Sequence, residues 1–158
     1  MKIVIVKKCL FVSGNICRSP IAEAVFLNLI KERGLESKWG VDSAALGGWH
    51  AGKSPDRRAM STLRKHNVPY EHKARQIKKD DFKKFDYIFG MDDENMEELE
   101  RLAPKDKKAQ LLLLGSFDPQ GDRIIRDPYY VSIQIKVIQT FNLDLLSGVI
   151  RKWNVRKG

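Results

Sequence analysis

The stretch from Leu10 to Pro20, Leu-Phe-Val-Ser-Gly-Asn-Ile-Cys-Arg-Ser-Pro, constrains this chain more than any other. The apolar run Leu10-Phe11-Val12 reads as the end of a buried strand. It stops at Gly14-Asn15, two residues that tolerate positive φ. Ser19-Pro20 then opens an amphipathic segment, Ile21 to Arg33, which closes at Gly34. Serine before a proline at the first helical position, with glycine just past the end, predicts a helix between them. A strand, a tight loop and a helix N-terminus gather backbone N–H groups and a favourable dipole, which together make an anion site. Arg18 stands where the loop meets the helix, and its planar fork suits two oxygens of a phosphate. The predicted phosphate cradle comprises Ser13, Gly14, Asn15, Ile16, Cys17, Arg18 and Ser19. A helix-capping role accounts for Ser19 equally well.

The remaining chain alternates strand and helix. Ile3 to Val12 reads as the first strand, Trp39 to Ala45 as the second, Tyr87 to Met91 as a third and Leu111 to Leu114 as a fourth. A short strand is expected at His72 to Ile77. Asp56 to His66 reads as a helix with Ala59, Met60 and Leu63 on its apolar face. Asp92 or Asp93 caps another, which carries Met96, Leu99 and Leu102 and stops before Pro104. Ile138, Phe141, Leu145, Val149 and Trp153 fall at helical spacing and predict a closing helix that Gly148 weakens. This alternation predicts an α/β fold, a single-domain doubly wound sheet of about four parallel strands with helices on both faces. Such sheets bind ligands at the carboxyl ends of their strands.

At 158 residues the chain fits one domain spanning 1–158 and can bury a core. Its two cysteines, Cys9 and Cys17, supply neither a disulfide framework nor a metal site with visible partners. The apolar run Ile3–Val6 is cut short by Lys7-Lys8, too soon for a secretory signal, so the expected compartment is the cytoplasm. A net charge of +9 admits nucleic acid or an anionic membrane as partner. The cations, however, are spread in pairs such as Lys78-Lys79, Lys83-Lys84 and Lys107-Lys108, with no stripe interleaved with aromatics. The expectation is a solvated basic surface that steers acidic ligands toward the cradle, with no nucleic-acid and no membrane partner.

The block from Gly14 to Phe26 resembles the signature of the low-molecular-weight protein tyrosine phosphatases. The likeness continues through Val41–Ala45, Ala74–Ile77, Phe85–Ile88, Met91-Asp92 and Asp127–Tyr130, so it covers roughly residues 9 to 130 in order. It implies metal-free hydrolysis of phosphotyrosine or a small aryl phosphate, with no cofactor and a phosphotyrosine-containing protein as partner. Arg18 and Asp127 match the catalytic arginine and the aspartate that protonates the leaving phenolate. Trp49, Tyr129 and Tyr130 resemble the aromatic walls that flank the substrate ring. Ser43 and His72 resemble positions that brace Asn15, and Cys17 resembles the partner in a protective disulfide with the nucleophile. Arg126, before Asp127, favours the ionised aspartate and so works against a general acid.

One departure dominates. The family motif is C-x5-R, and six residues before Arg18 stands Val12. A second alignment keeps Leu10-Phe11-Val12 on the strand, so Ser13 fills the slot in a loop one residue short. Valine offers no lone pair, and a serine hydroxyl needs a base that the sequence does not reveal. Cys9 lies too far back along the strand to substitute. A phosphate-binding site with lost or weak turnover is therefore the first reading. Residual phosphatase activity and a non-catalytic interaction scaffold are the alternatives.

Overall fold

Cys9, Leu10, Phe11 and Val12 are all fully buried, which requires cover on both faces of their strand. The computed structural model describes residues 6–13, 18–48, 51–54, 57–65, 67–68, 70–117 and 143–154. Within these, β1 (Lys7–Ser13), β2 (Trp39–Ala45), β3 (Tyr87–Gly90) and β4 (Gln110–Leu113) form one sheet in the order β2-β1-β3-β4. Every pairing is parallel, and Val12 lies between Ala44 on β2 and Gly90 on β3. The helices are α1 (Arg18–Glu32), α2 (Arg57–Lys65), α3 (Asp81–Lys84), α4 (Asp93–Leu102) and α5 (Leu143–Asn154), and a 3₁₀ turn occupies Leu114–Phe117.

Side chains alternate along β1 and so feed two cores. Cys9 and Phe11 join Phe26, Leu29, Leu63, Leu114 and Val149, the core under α1, α2 and α5. Leu10 and Val12 join Ile77, Phe82 and Leu99, the core under α3 and α4. In the first core Phe11 stacks on Phe89 with centroids 5.4 Å apart and meets Phe26 edge-on at 5.6 Å. The predicted α/β fold of four parallel strands with helices on both faces is thus observed.

Several expectations change. Helix α1 begins at Arg18, so Ser19 and Pro20 are its second and third residues rather than its cap and first residue. Proline is tolerated there because the first four N–H groups have no intrahelical acceptor. Its first two turns are buried all round, from Arg18 to Phe26, and only the later turns are amphipathic. Residues 72–77 make an isolated bridge, Gln76 beside Ala45, rather than a strand. Strand β4 ends at Leu113, and Gly115 lies within the 3₁₀ turn. Helix α3 is too short for periodicity to reveal. Ile3–Ile5, Ile138 and Phe141 lie outside the described residues.

Two glycines are set by close approach. A Cβ at Gly90 would lie 2.8 Å from Met96 Sδ and 3.3 Å from Asn95 Cβ, so the bare backbone lets α4 start against the end of β3. A Cβ at Gly148 would lie 2.8 Å from the Phe117 carbonyl oxygen. Gly148 therefore seats α5 on the turn after β4, more than it weakens the helix. Gly148→Ala should lower stability by about 1–3 kcal/mol, read as a shift of the urea midpoint. A gain of about 1 kcal/mol, the sign that helix propensity alone dictates, would refute this seating role.

Candidate active site

After β2 the chain returns across β1 to reach β3, so the connections leaving β1 and β3 run in opposite senses. In open α/β sheets such a reversal is where a ligand crevice forms, at the carboxyl ends of the two strands. Ser13 ends β1 there, and Asp92 follows β3 by two residues. Both open onto helix N-termini, α1 at Arg18 and α4 at Asp93, which present positive dipole ends.

Alternation puts Ser13 on the same face as Phe11, toward α1, and it is fully buried. Its hydroxyl donates to Ser19 Oγ at 2.8 Å, and the Ser19 N–H donates to Ser13 Oγ at 3.3 Å. Ser19 Oγ in turn donates to the Ala44 carbonyl at 3.4 Å. The two serines thus tie the end of β1 to the first turn of α1 and to β2. Val12 points the opposite way, into the α3–α4 core, and cannot reach Ser19. Ser19 is part of this contact and not the helix cap.

Arg18 is only 3% exposed and lies 2.7 Å from Asp92, Nη1 to Oδ2. Asp92 uses its other oxygen to cap α4, accepting from the Asn95 N–H at 2.8 Å. Asn95 Oδ1 then accepts from the Met91 N–H at 3.1 Å, which fixes the turn between β3 and α4. One carboxylate therefore both starts a helix and aims the guanidinium. The sequence reading identified only the first role.

Beneath the crevice lies a second network centred on Glu23 of α1. Ser43 Oγ donates to Glu23 Oε2 at 2.6 Å, the Tyr70 hydroxyl donates to the same oxygen, and His72 Nδ1 lies 3.7 Å away. Burial pushes the Glu23 carboxyl above its ordinary range, against hydrogen bonds that favour the charge. Burial and the adjacent Glu23 push the Tyr70 phenol up as well. Alongside, Arg75 bridges Asp42 at 3.0 Å and Asp81 at 2.9 Å. Glu23, Asp42 and His72 bring ligand atoms within 4.8 Å of one another. Asp42 is engaged by Arg75 and Glu23 by two hydroxyls, so the set works as a hydrogen-bonded brace. A small cavity bounded by Ser19, Ser43, His72 and Arg75 separates this brace from the serine pair.

Cys9 is a buried free thiol on the sheet, pushed up by burial and by nearby Glu23 and Asp86, and so is unreactive. Of the predicted site residues, the structure brings together Ser13, Arg18 and Ser19. Gly14, Asn15, Ile16, Cys17, Trp49, Asp127, Tyr129 and Tyr130 lie outside the described residues. Ser43 and His72 do sit together, with Glu23 as their described partner. The roles of Glu23 and Tyr70 were missed. A usable signal existed in Glu23, a lone acid inside the apolar run Ile21–Phe26.

Two outcomes follow from these contacts. Asp92→Ala should cost about 3–5 kcal/mol in denaturant unfolding, because it leaves Arg18 buried beside an empty partner and uncaps α4. Asp92→Asn keeps a cap acceptor and should cost at least about 1 kcal/mol less. Equal losses would mean that the cap contributes nothing. For Glu23, a raised folded pKa means that its stabilising contribution is present below the unfolded value of 4.5 and lost as pH rises through the folded one. Glu23→Gln retains an acceptor for Ser43 and Tyr70. Its stability relative to the unaltered chain should therefore climb as pH rises above 4.5 in urea melts, and a flat difference would contradict the burial argument.

Comparison with known proteins agrees with this geometry. The family model for low molecular weight phosphotyrosine protein phosphatase matches residues 8–152. The chain is 55% identical over 127 residues to low molecular weight phosphotyrosine protein phosphatase 1 of Drosophila melanogaster, covering 79% of this chain and 81% of that protein. It is 51% identical over 127 residues to the Homo sapiens low molecular weight phosphotyrosine protein phosphatase, covering 78% and 80%. The crystal structure of Primo-1 superposes with a TM-score of 0.86 at 44% identity, covering 95% of this chain and 99% of that one. The four-stranded parallel sheet in the order β2-β1-β3-β4 and these matches lead to one conclusion: the chain belongs to the low molecular weight phosphotyrosine protein phosphatase family.

Proposed function

We propose that this chain binds phosphotyrosine or a related phosphate monoester in the Ser13–Ser19 cradle and turns it over weakly or not at all. The observation that carries this reading is the contact of Ser13 Oγ with Ser19 Oγ at 2.8 Å. In the family's reaction the nucleophile is a thiolate that faces the matching serine. Here that position falls to Ser13, since Val12 is committed to the opposite core. Neither the Ser19 hydroxyl nor the Ser19 amide, both bonded to Ser13 Oγ, can take up its proton. Cys9 offers no substitute from within the sheet.

The binding half of the machinery is supported by Arg18. Its guanidinium is preoriented by Asp92 and stands at a helix N-terminus, where an anion is favoured. Cys17 and the backbone of Gly14, Asn15 and Ile16 would complete the cradle. Trp49, Tyr129 and Tyr130 would flank the aromatic ring, and Asp127 would face the leaving oxygen. With no thiolate, the protective disulfide that Cys17 resembles has no partner.

A second reading rests on the same serine contact. In that reading Ser13 is the nucleophile: slow attack by its hydroxyl on phosphorus would form a phosphoserine, release the phenol and leave hydrolysis to water. Calorimetric titration with inorganic phosphate, beside hydrolysis of an aryl phosphate, separates the two. Binding without turnover is expected for the unaltered chain. Turnover should appear when a cysteine is inserted between Val12 and Ser13, which restores C-x5-R. Activity in the unaltered chain that vanishes in Ser13→Ala would establish the second reading. Absence of phosphate binding in a folded protein would refute both.

A further inference from the structure

Cations that look scattered along the sequence are gathered by the fold. Lys7 and Lys8 open β1, Lys83 and Lys84 end α3 just before β3, and Lys107 and Lys108 lead into β4. Strands of a parallel sheet all begin at one edge, so the three pairs meet there, at the edge opposite the crevice. Direct contacts confirm the meeting. The Lys8 N–H donates to Asp86 Oδ2 at 2.9 Å, Lys108 Nζ lies 3.3 Å from Asp86 Oδ1, and the Lys108 N–H donates to the Phe82 carbonyl at 2.9 Å. Lys7 is half-buried over the Tyr87 ring, and the other five are exposed.

The opposing charge on this edge is smaller. Asp86 takes Lys108, Asp106 takes Lys83 at 3.0 Å, Asp80 is exposed beside them, and Glu36, exposed just before β2, is offset in charge by Lys38. Asp81 is turned inward to Arg75 and contributes nothing outward. Val6, directly before Lys7, is 42% exposed and apolar, which puts a hydrophobic side chain on the rim of the basic edge.

We propose that this edge is a docking face for an anionic lipid surface, held by diffuse attraction of the lysines with Val6 at the boundary. It goes beyond the phosphate-binding reading and does not depend on it. Each of the six cations is a lysine, a hydrated point charge suited to a fluid array of headgroups. Base readout and single-strand stacking on nucleic acid call for arginine forks or open aromatic platforms, and the rings here, Tyr87 and Phe85, are buried beneath Lys7 and Lys84. A protein partner calls for a sizeable apolar anchor, which a single valine does not supply. This is surface adsorption and not insertion: no helix among the described residues is long and apolar enough to cross a membrane. It departs from the expectation of a solvated basic surface with no membrane partner. Docked this way, the crevice with Arg18 and Ser13 faces away from the lipid.

Sedimentation with vesicles tests it. The full chain should bind phosphatidylcholine vesicles containing about 30% phosphatidylserine and not pure phosphatidylcholine, with at least a tenfold loss between about 50 mM and about 300 mM salt. Lys84→Glu with Lys107→Glu, two exposed positions, should weaken binding by tenfold or more. The neutral pair Lys84→Gln with Lys107→Gln should lose less, and circular dichroism would verify that both variants stay folded. Inorganic phosphate added at constant ionic strength should leave vesicle binding unchanged, because the headgroups do not enter the Arg18 crevice. The proposal is overturned by no binding at low salt, by undiminished binding of the folded glutamate variant, by competition from phosphate, or by tighter binding to a duplex oligonucleotide than to the vesicles.

Discussion

Burial of β1 on both faces is the constraint from which the remaining geometry follows. Phe11 and Cys9 are held by the core under α1, while Leu10 and Val12 are held by the core under α3 and α4. A shift of one residue would exchange these two sets, pushing Phe11 out of its ring contacts with Phe26 and Phe89. The register is therefore strongly specified, and with it the direction of every side chain to the strand's end. Ser13 faces α1 because Phe11 does. The face that Ser13 presents is thus set by the core two positions upstream.

The crevice combines two helix N-termini with one buried arginine, and Asp92 balances them. Without a carboxylate there, a guanidinium only 3% exposed would stand in concentrated positive potential. With it, α4 is capped and Arg18 is held in one orientation, the kind of preorganisation that planar recognition of phosphate requires. The Glu23 network carries out a related task one layer below. It ties α1 to β2 through Ser43 and to the segment after α2 through Tyr70 and His72. A buried acid there raises stability only while it shares a proton or its hydrogen bonds are intact. The brace is therefore structural and titratable at once.

Legibility in the sequence followed the range of each interaction. The β1–loop–α1 unit was readable because its signals are contiguous: an apolar run, glycine and asparagine, then serine-proline and a helical pattern. Helix α4 was readable through its cap and its three-residue steps. Helix α3 was not, since one turn carries no periodicity, and residues 72–77 were read as a short strand although only Gln76 forms a bridge, its neighbours Arg75 and Ile77 bonding the same Ala45. Gly148 read as a helix flaw, because the Phe117 carbonyl that requires it comes from the turn after β4. Glu23 was visible as an odd acid in an apolar run, but its partners Ser43 and Tyr70 are 20 and 47 residues away.

By itself, then, the sequence determined the α/β class and the family, and it placed Val12 rather than a cysteine six positions before Arg18. All of these depend on local patterns or on residue identity. Only the tertiary structure decided which way Val12 and Ser13 face, because alternation matters only once two cores say which face is which. Tertiary structure alone also paired Arg18 with Asp92, which are 74 positions apart. And it turned three scattered lysine pairs into one charged edge, since parallel strands begin side by side in space however far apart they begin along the chain.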